Sequence, residues 1–204
     1  MTINQTEKIV LATRNPNKAD EIKKAFVSAG IKTPLITLDE AGFYGEIIED
    51  GSSFKENALI KAKAACIATG LVSIADDSGL EVEFLGGRPG VLSARYGGES
   101  GGYDNKINLL LGELSGVPGN DRRARFVAVF CCYFPDGGYF FADGECEGII
   151  AQKKAGAGNF GYDPVFYYPP SRKTFAQMSA EEKNKISHRG KAVEKLIKMF
   201  RLDK

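Results

Sequence analysis

Two periods of apolar residues alternate along this chain, one suited to buried strands and one to helices. KIVLA (8–12) is a short apolar run and reads as a buried strand. Polar TRNPNK (13–18) follows at once, and then Ile22, Ala25, Phe26 and Ala29 recur at helical spacing. The pattern predicts a helix from Pro16 to Ala29. Asn15 suits the N-cap, Pro16 the first helical position and Gly30 the stop. Weaker strands are expected around Ile36 and near Ile47. Ser53 and Glu56 have capping-box spacing and open a second helix, with Ala58, Leu59, Ala62, Ala65 and Cys66 as its stripe and Gly70 as its end. LVSIA (71–75) predicts the next strand, with DDSG (76–79) as a turn at its carboxyl end.

The second half changes character. Residues 79–119 are rich in glycine and predict loops around one short strand, EVEFL, before a helix carrying Ile107, Leu110, Leu111 and Leu114. ARFVAVFCCYF (124–134), PDGG (135–138) and 139–151 read as strand, tight turn and return strand, with bends or bulges at Gly144 and Gly148. The loop GAGNFGYDP leads to a short strand, VFYY. A capping box from Ser179 to Glu182 opens a short helix, and 191–200 forms the last one, with Val193, Leu196, Ile197 and Phe200 inward. Helix-to-strand passages of this kind imply an α/β fold with mixed strand pairing.

Composition narrows the function. Lys and Arg number 27 against 26 Asp and Glu, so bulk charge does not suit a general nucleic-acid binder. No apolar run approaches the ~18 residues of a membrane span. The opening MTINQTEKIVLAT lacks the layout of a secretory signal. Cys66, Cys131, Cys132 and Cys146 show no CxxC spacing, and the adjacent pair predicts one core and one surface thiol, both reduced. These features suggest a cytoplasmic protein without membrane or nucleic-acid partners.

Four places could carry chemistry. Thr13 to Lys18 lies between a strand and a helix N-terminus, where free N–H groups and the dipole favour an anion. Its plain alternative is a well-capped polar turn, and no Walker A loop is present. Asp76 and Asp77 sit where α/β sheets gather ligands, and paired acids can hold Mg²⁺ or orient water. Their alternative is an Asp-rich turn. Phe160, Gly161, Tyr162 and Asp163 could stack on a base and accept its hydrogen bonds, or form a packed aromatic turn. His188, the one histidine, with Arg189 and with Lys183 about one turn earlier, could donate to a phosphate or base carbonyl, or be solvated. Glu46, Glu49 and Asp50 form a weaker acidic cluster.

TRNPNK, SFKENALIKAKA, ADDSGLEV, LGGRPGVLSARYGG, GNFGYDPVF and MSAEEKNKISHRGKA occur in that order. Together they resemble the inosine triphosphate pyrophosphatase family, in particular its bacterial-type members acting on non-standard purine nucleotides. The resemblance runs from about residue 8 to residue 200. It implies an elongated mixed β-sheet flanked by helices, in two lobes with a central substrate cleft, and residues 1–204 as one catalytic domain. It implies Mg²⁺-dependent hydrolysis of ITP, dITP and XTP to monophosphate and pyrophosphate, by a homodimer that cleanses the nucleotide pool. Carried over by position, Thr13, Arg14, Asn15, Pro16, Asn17 and Lys18 match the phosphate-gripping turn, and Lys61 a lysine facing the phosphates. Asp77 matches the metal-binding general base, Asp76 its essential neighbour and Ser78 a substrate contact. Glu49 best matches the second metal ligand, with Glu46 the alternative. Phe160, Gly161, Tyr162, Asp163, Lys183, His188 and Arg189 match the base pocket. Arg14 and the extension at residues 1–7 depart from the family pattern. Maf-like pyrophosphatases of other base specificity are the related alternative, and a non-catalytic nucleotide sensor the unrelated one. FGYDP and SHRG favour the first reading, and the presence of both Asp76 and Asp77 speaks against a sensor.

Overall fold

The computed structural model describes residues 6–98, 102–158 and 160–202. Most of the N-terminal extension, and Asn159 of the GNFGYDP loop, lie outside the described residues. In chain order the elements are β1 (Ile9–Leu11), α1 (Pro16–Ser28), β2 (Leu35–Thr37), α2 (Phe54–Thr69), β3 (Val72–Val82) and α3 (Tyr103–Glu113). They continue with β4 (Arg123–Tyr133), β5 (Tyr139–Ile150), β6 (Phe166–Tyr168), β7 (Lys173–Thr174), α4 (Ala180–Ile186) and α5 (His188–Leu202). The seven strands form one sheet in the order β2-β1-β3-β4-β5-β6-β7. Pairing is parallel from β2 through β1 to β3 and antiparallel from β5 through β6 to β7, so the sheet is mixed as the α/β reading predicts.

The chain packs as two units, with β3, β4 and β5 each passing from one to the other. The first comprises Met1–Asp77, Ala128–Gly144 and Ala192–Lys204. In its parallel ladder Val10 stands opposite Ile36 on one side and Ser73 on the other. Its core joins Ile9, Leu11, Ile22, Phe26, Ile74, Phe130 and Leu196, and the Phe26 and Phe200 rings meet edge to face at 5.4 Å. Helix α1 starts as its caps predict, and α2 ends at Gly70, whose φ of +70° is the left-handed C-cap geometry glycine tolerates. Two expectations fail here. No strand forms near Ile47; Phe43 and Ile47 are half-buried while Tyr44 and Ile48 are exposed, so the apolar residues of this acid-rich stretch share no fully buried face. Cys131 and Cys132 are both fully buried rather than split between core and surface, and all four cysteines lie in the interior outside any disulfide.

The second unit comprises Ser78–Val127 and Glu145–Lys191. Leu80, Val82, Ile107, Leu110, Phe126, Val165, Phe166 and Phe175 form its core. Buried Arg122 ties three loop ends together, donating from Nε to the Ile150 carbonyl at 2.8 Å and from its two terminal nitrogens to Leu114 and Ala151. Strand β5 runs continuously from Tyr139 to Ile150 through Gly144 and Gly148. Gly148 is a close approach: a Cβ there would lie 2.6 Å from the Phe166 ring and 2.7 Å from the Tyr167 carbonyl.

The largest correction concerns β3. The sequence pattern predicts a strand ending at Ala75, an Asp-rich turn and a separate EVEFL strand. Instead one strand runs unbroken through DDSGLEV, and Glu83–Leu85 forms a 3₁₀ turn. Asp and Gly are poor strand formers, but that preference is weak and yields to context. Here both acids are buried with cationic partners, which removes the reason for the chain to turn outward.

Candidate active site

The first unit gathers the acids. The turn after β1 is organised by its own side chains. Thr13 Oγ1 accepts from the Asn15 N–H at 3.2 Å, and Asn15 Oδ1 accepts from the Asn17 and Lys18 N–H groups at 3.1 and 3.3 Å. With Pro16 at the first helical position, this fixes where α1 begins and where Lys18 points. The Lys18 ammonium reaches Asp76 Oδ2 at 2.7 Å. Arg14 turns another way. Its guanidinium donates to the Gly45 carbonyl at 2.8 Å and lies 3.6 Å from Asp39, so it pins the segment after β2. Pro16 and Asn17 are exposed.

Helix α2 supplies the partners of Asp77. Ser53 caps it by accepting from the Glu56 N–H, but the Glu56 carboxylate takes the Ser52 N–H and hydroxyl, both at 2.7 Å, so the box closes one residue early. One turn on, Asn57 and Lys61 lie four residues apart on one face of the helix. Asn57 donates to Asp77 Oδ2 at 3.2 Å while its Oδ1 accepts from the Gly51 N–H at 2.9 Å. Lys61 donates to Asp77 Oδ1 at 3.2 Å and to Glu49 Oε2 at 2.8 Å. Gly51 is needed for this closeness, since a Cβ there would meet Asn57 Oδ1 at 2.7 Å and Glu56 Cβ at 2.8 Å.

Two acids therefore converge on one ammonium. Glu49, and not Glu46, is the acid that the backbone brings to Lys61 and Asp77. Burial pushes the Asp77 carboxyl up from the ordinary aspartate range; Lys61 opposes this and nearby Glu49 adds to it. Burial alone would lower the Lys61 ammonium, but Asp77, Asp76 and Glu49 together raise it. Ser78 follows Asp77 along β3 and is half-buried.

The second unit gathers the aromatic and donor residues. Gly161, at φ +58°, lets the Phe160–Asp163 turn form, and the Asp163 N–H donates to the Phe160 carbonyl at 3.1 Å. Buried Asp163 pairs with Lys183 in a short ion pair. The Lys183 ammonium sits 4.9 Å from the Phe160 ring centre, and the Arg189 guanidinium carbon 5.4 Å from it. Two cations thus flank one half-buried aromatic ring. The Tyr162 phenol donates to the Ser93 carbonyl at 2.9 Å, and its ring is buried, so it anchors the turn from below.

His188 is not solvated. It is buried at the start of α5, with its ring stacked on Phe126 at 4.6 Å, and Phe126 in turn stacks on Phe175. Gly190 explains the rest of SHRG: a Cβ there would come within 1.8 Å of the Asn184 carbonyl, so only glycine lets α5 start this close to α4. Sequence reasoning missed Asn57, Ser93, Phe126 and Phe175 at these places. Asn57 had a signal, a polar residue inside the apolar stripe of α2. The others looked like ordinary core or loop residues.

The Ham1 family model matches residues 9–199. A dITP/XTP pyrophosphatase of Thermus thermophilus is 46% identical over 194 residues, covering 95% of this chain and 92% of its own length. The Ham1 protein of Staphylococcus aureus has a solved structure with a TM-score of 0.87 and 40% identity, covering 97% of this chain and all of that one. A HAM1 protein from Coxiella burnetii superposes with a TM-score of 0.89 at 37% identity, over 96% and 98% of the two chains. With a family model spanning nearly all of the sequence and relatives this similar along their full lengths, the chain belongs to the Ham1 family.

Proposed function

We propose that this protein hydrolyses non-standard purine nucleoside triphosphates, dITP, ITP and XTP, to the monophosphate and pyrophosphate. The observation that carries the reading is Asp77, a buried carboxylate of raised pKa held through both oxygens by Asn57 and Lys61, in a chain 46% identical to a dITP/XTP pyrophosphatase. Thr13, Asn15 and Lys18 bind phosphate oxygens at the start of α1. Asp77 orients and deprotonates the water that attacks the α-phosphorus, and Lys18 and Lys61 offset the charge on the pyrophosphate leaving group. In this reading the two units act as one catalytic domain.

A divalent cation, Mg²⁺, belongs to the proposal. Among the described residues no group of three His, Cys, Asp or Glu side chains is arranged to hold a metal. Mg²⁺ does not need one, because it is held by one or two carboxylates with waters and substrate phosphates completing its shell. Asp77 and Glu49 fit that pattern, since their oxygens already face one cationic point, the Lys61 ammonium. Asp76, Asp77 and Glu49 against Lys18 and Lys61 also leave a formal charge of −1, which suits a further cation. When bound, the metal would neutralise triphosphate charge and polarise the anhydride.

Lys183 and Arg189, beside Phe160, read the base together with His188 at the start of α5. Deaminated purines carry a 6-oxo acceptor where adenine carries an amino donor. A buried donor left without a partner costs ~1–3 kcal/mol, so adenine is rejected by about fivefold or more. We further propose a cytoplasmic homodimer; among the described residues no helix is long and apolar enough to cross a membrane. The test is pyrophosphate release with Mg²⁺ from a panel of ITP, XTP, GTP, dTTP and ATP. ITP and XTP are expected to exceed ATP by about fivefold or more in kcat/KM. A preference for dTTP would support Maf-like specificity, and absence of any turnover would support a sensor.

A further inference from the structure

Tyr103 opens α3 beside the Phe160–Asp163 turn. Its ring meets the Tyr162 ring edge to face, with centroids 5.6 Å apart and planes at 87°. A Cβ on Gly161 would lie 3.7 Å from Tyr103 Cε1, so the ring also lies along the backbone of that turn. The Lys106 ammonium, one helical turn on and buried, sits 5.5 Å from the ring centre. The ring is thus fixed along one edge and one face. Even so, 42% of the residue is exposed, whereas its partner Tyr162 is 2% exposed. The phenol also senses the charged residues of the same cluster. Burial pushes its pKa up, Arg189 pulls it down and Asp163 pushes it up. An aromatic side chain held at an edge with its remaining surface open is the arrangement on which nucleic bases stack.

We propose that Tyr103 is a further substrate-binding residue, whose open ring surface packs against the purine while its edge-to-face partner Tyr162 stays buried as the anchor of the turn. The inference rests on the reading of Phe160, Lys183, His188 and Arg189 as the base site. Phe160 is flanked by two cations; Tyr103 adds an apolar surface, so the two aromatic residues have different tasks. The contribution comes from the ring rather than the hydroxyl, because the ring carries the observed contacts.

The test compares Tyr103→Ala and Tyr103→Phe with the wild type, measuring ITP turnover and IMP binding by calorimetry. Tyr103→Ala is expected to raise the ITP KM and the IMP Kd by about tenfold, with kcat falling less than about threefold. Tyr103→Phe is expected to stay within about twofold of the wild type in all three. A loss that merely reflected disturbed folding would lower kcat and the melting temperature as well, and would not split KM from kcat. Unchanged KM and Kd in Tyr103→Ala, or equal loss in Tyr103→Phe, would overturn the proposal while leaving the base site intact. A wild type that neither binds IMP nor turns over ITP would overturn the base-site reading itself.

Discussion

Asp77→Asn is expected to lower kcat for ITP by about 10³-fold while the fold and nucleotide binding persist. Asparagine keeps the shape of the side chain and removes the proton acceptor. Of the two adjacent acids, Asp76 is committed to Lys18 at 2.7 Å and its side chain is 1% exposed. Asp77 keeps 12% exposure, and a carboxyl of raised pKa can take a proton from water more readily than an ordinary aspartate. The substitution has a modest structural cost. Asn57 cannot reverse its amide, because its Oδ1 is engaged by the Gly51 N–H, so its donor faces either the new oxygen or the new amide nitrogen. Circular dichroism and pyrophosphate release measured on the same preparation check the expectation. Near-normal turnover would remove Asp77 from the mechanism.

Lys61→Met should be the most destabilising change at the site. The ammonium, 11% exposed, stands between Asp77 and Glu49. Removing one partner of a buried ion pair leaves a buried charge uncompensated, at a cost of about 3 kcal/mol or more. In a chain of this length that corresponds to a fall in Tm of roughly 10 °C. The electrostatic origin makes a second expectation. If repulsion and desolvation of Asp77 cause the loss, then Asp77→Asn in the Lys61→Met background should restore more than half of it. Lost packing alone would leave the two substitutions additive. Thermal melts of the wild type, both single variants and the double variant decide between them.

Helix positions were legible in the sequence because their signals are local. Asn15, Pro16 and Gly70 mark helix ends through hydrogen bonds and backbone angles that involve only near neighbours. The extent of β3 was not legible. Whether Asp76-Asp77-Ser78-Gly79 turns or stays extended depends on Lys18 and Lys61, residues remote in sequence that supply the compensating charge. Glu49 could not be separated from Glu46 for the same reason: only the folded path of the segment before α2 decides which one reaches Lys61. His188 illustrates the opposite error. Its burial depends on Phe126, more than sixty residues earlier, whereas a lone histidine in a polar motif suggests a solvated side chain. Tyr103 carried no motif at all, and only its place beside Gly161 and Tyr162 distinguishes it.

The central claim is that water, oriented by Asp77, attacks the α-phosphorus of a deaminated purine triphosphate. Turnover of ITP in ¹⁸O-labelled water, followed by mass spectrometry of both products, tests it most directly. The account predicts one labelled oxygen in IMP and none in pyrophosphate. Label in pyrophosphate, or release of labelled orthophosphate with IDP, would place the attack at another phosphorus and contradict it.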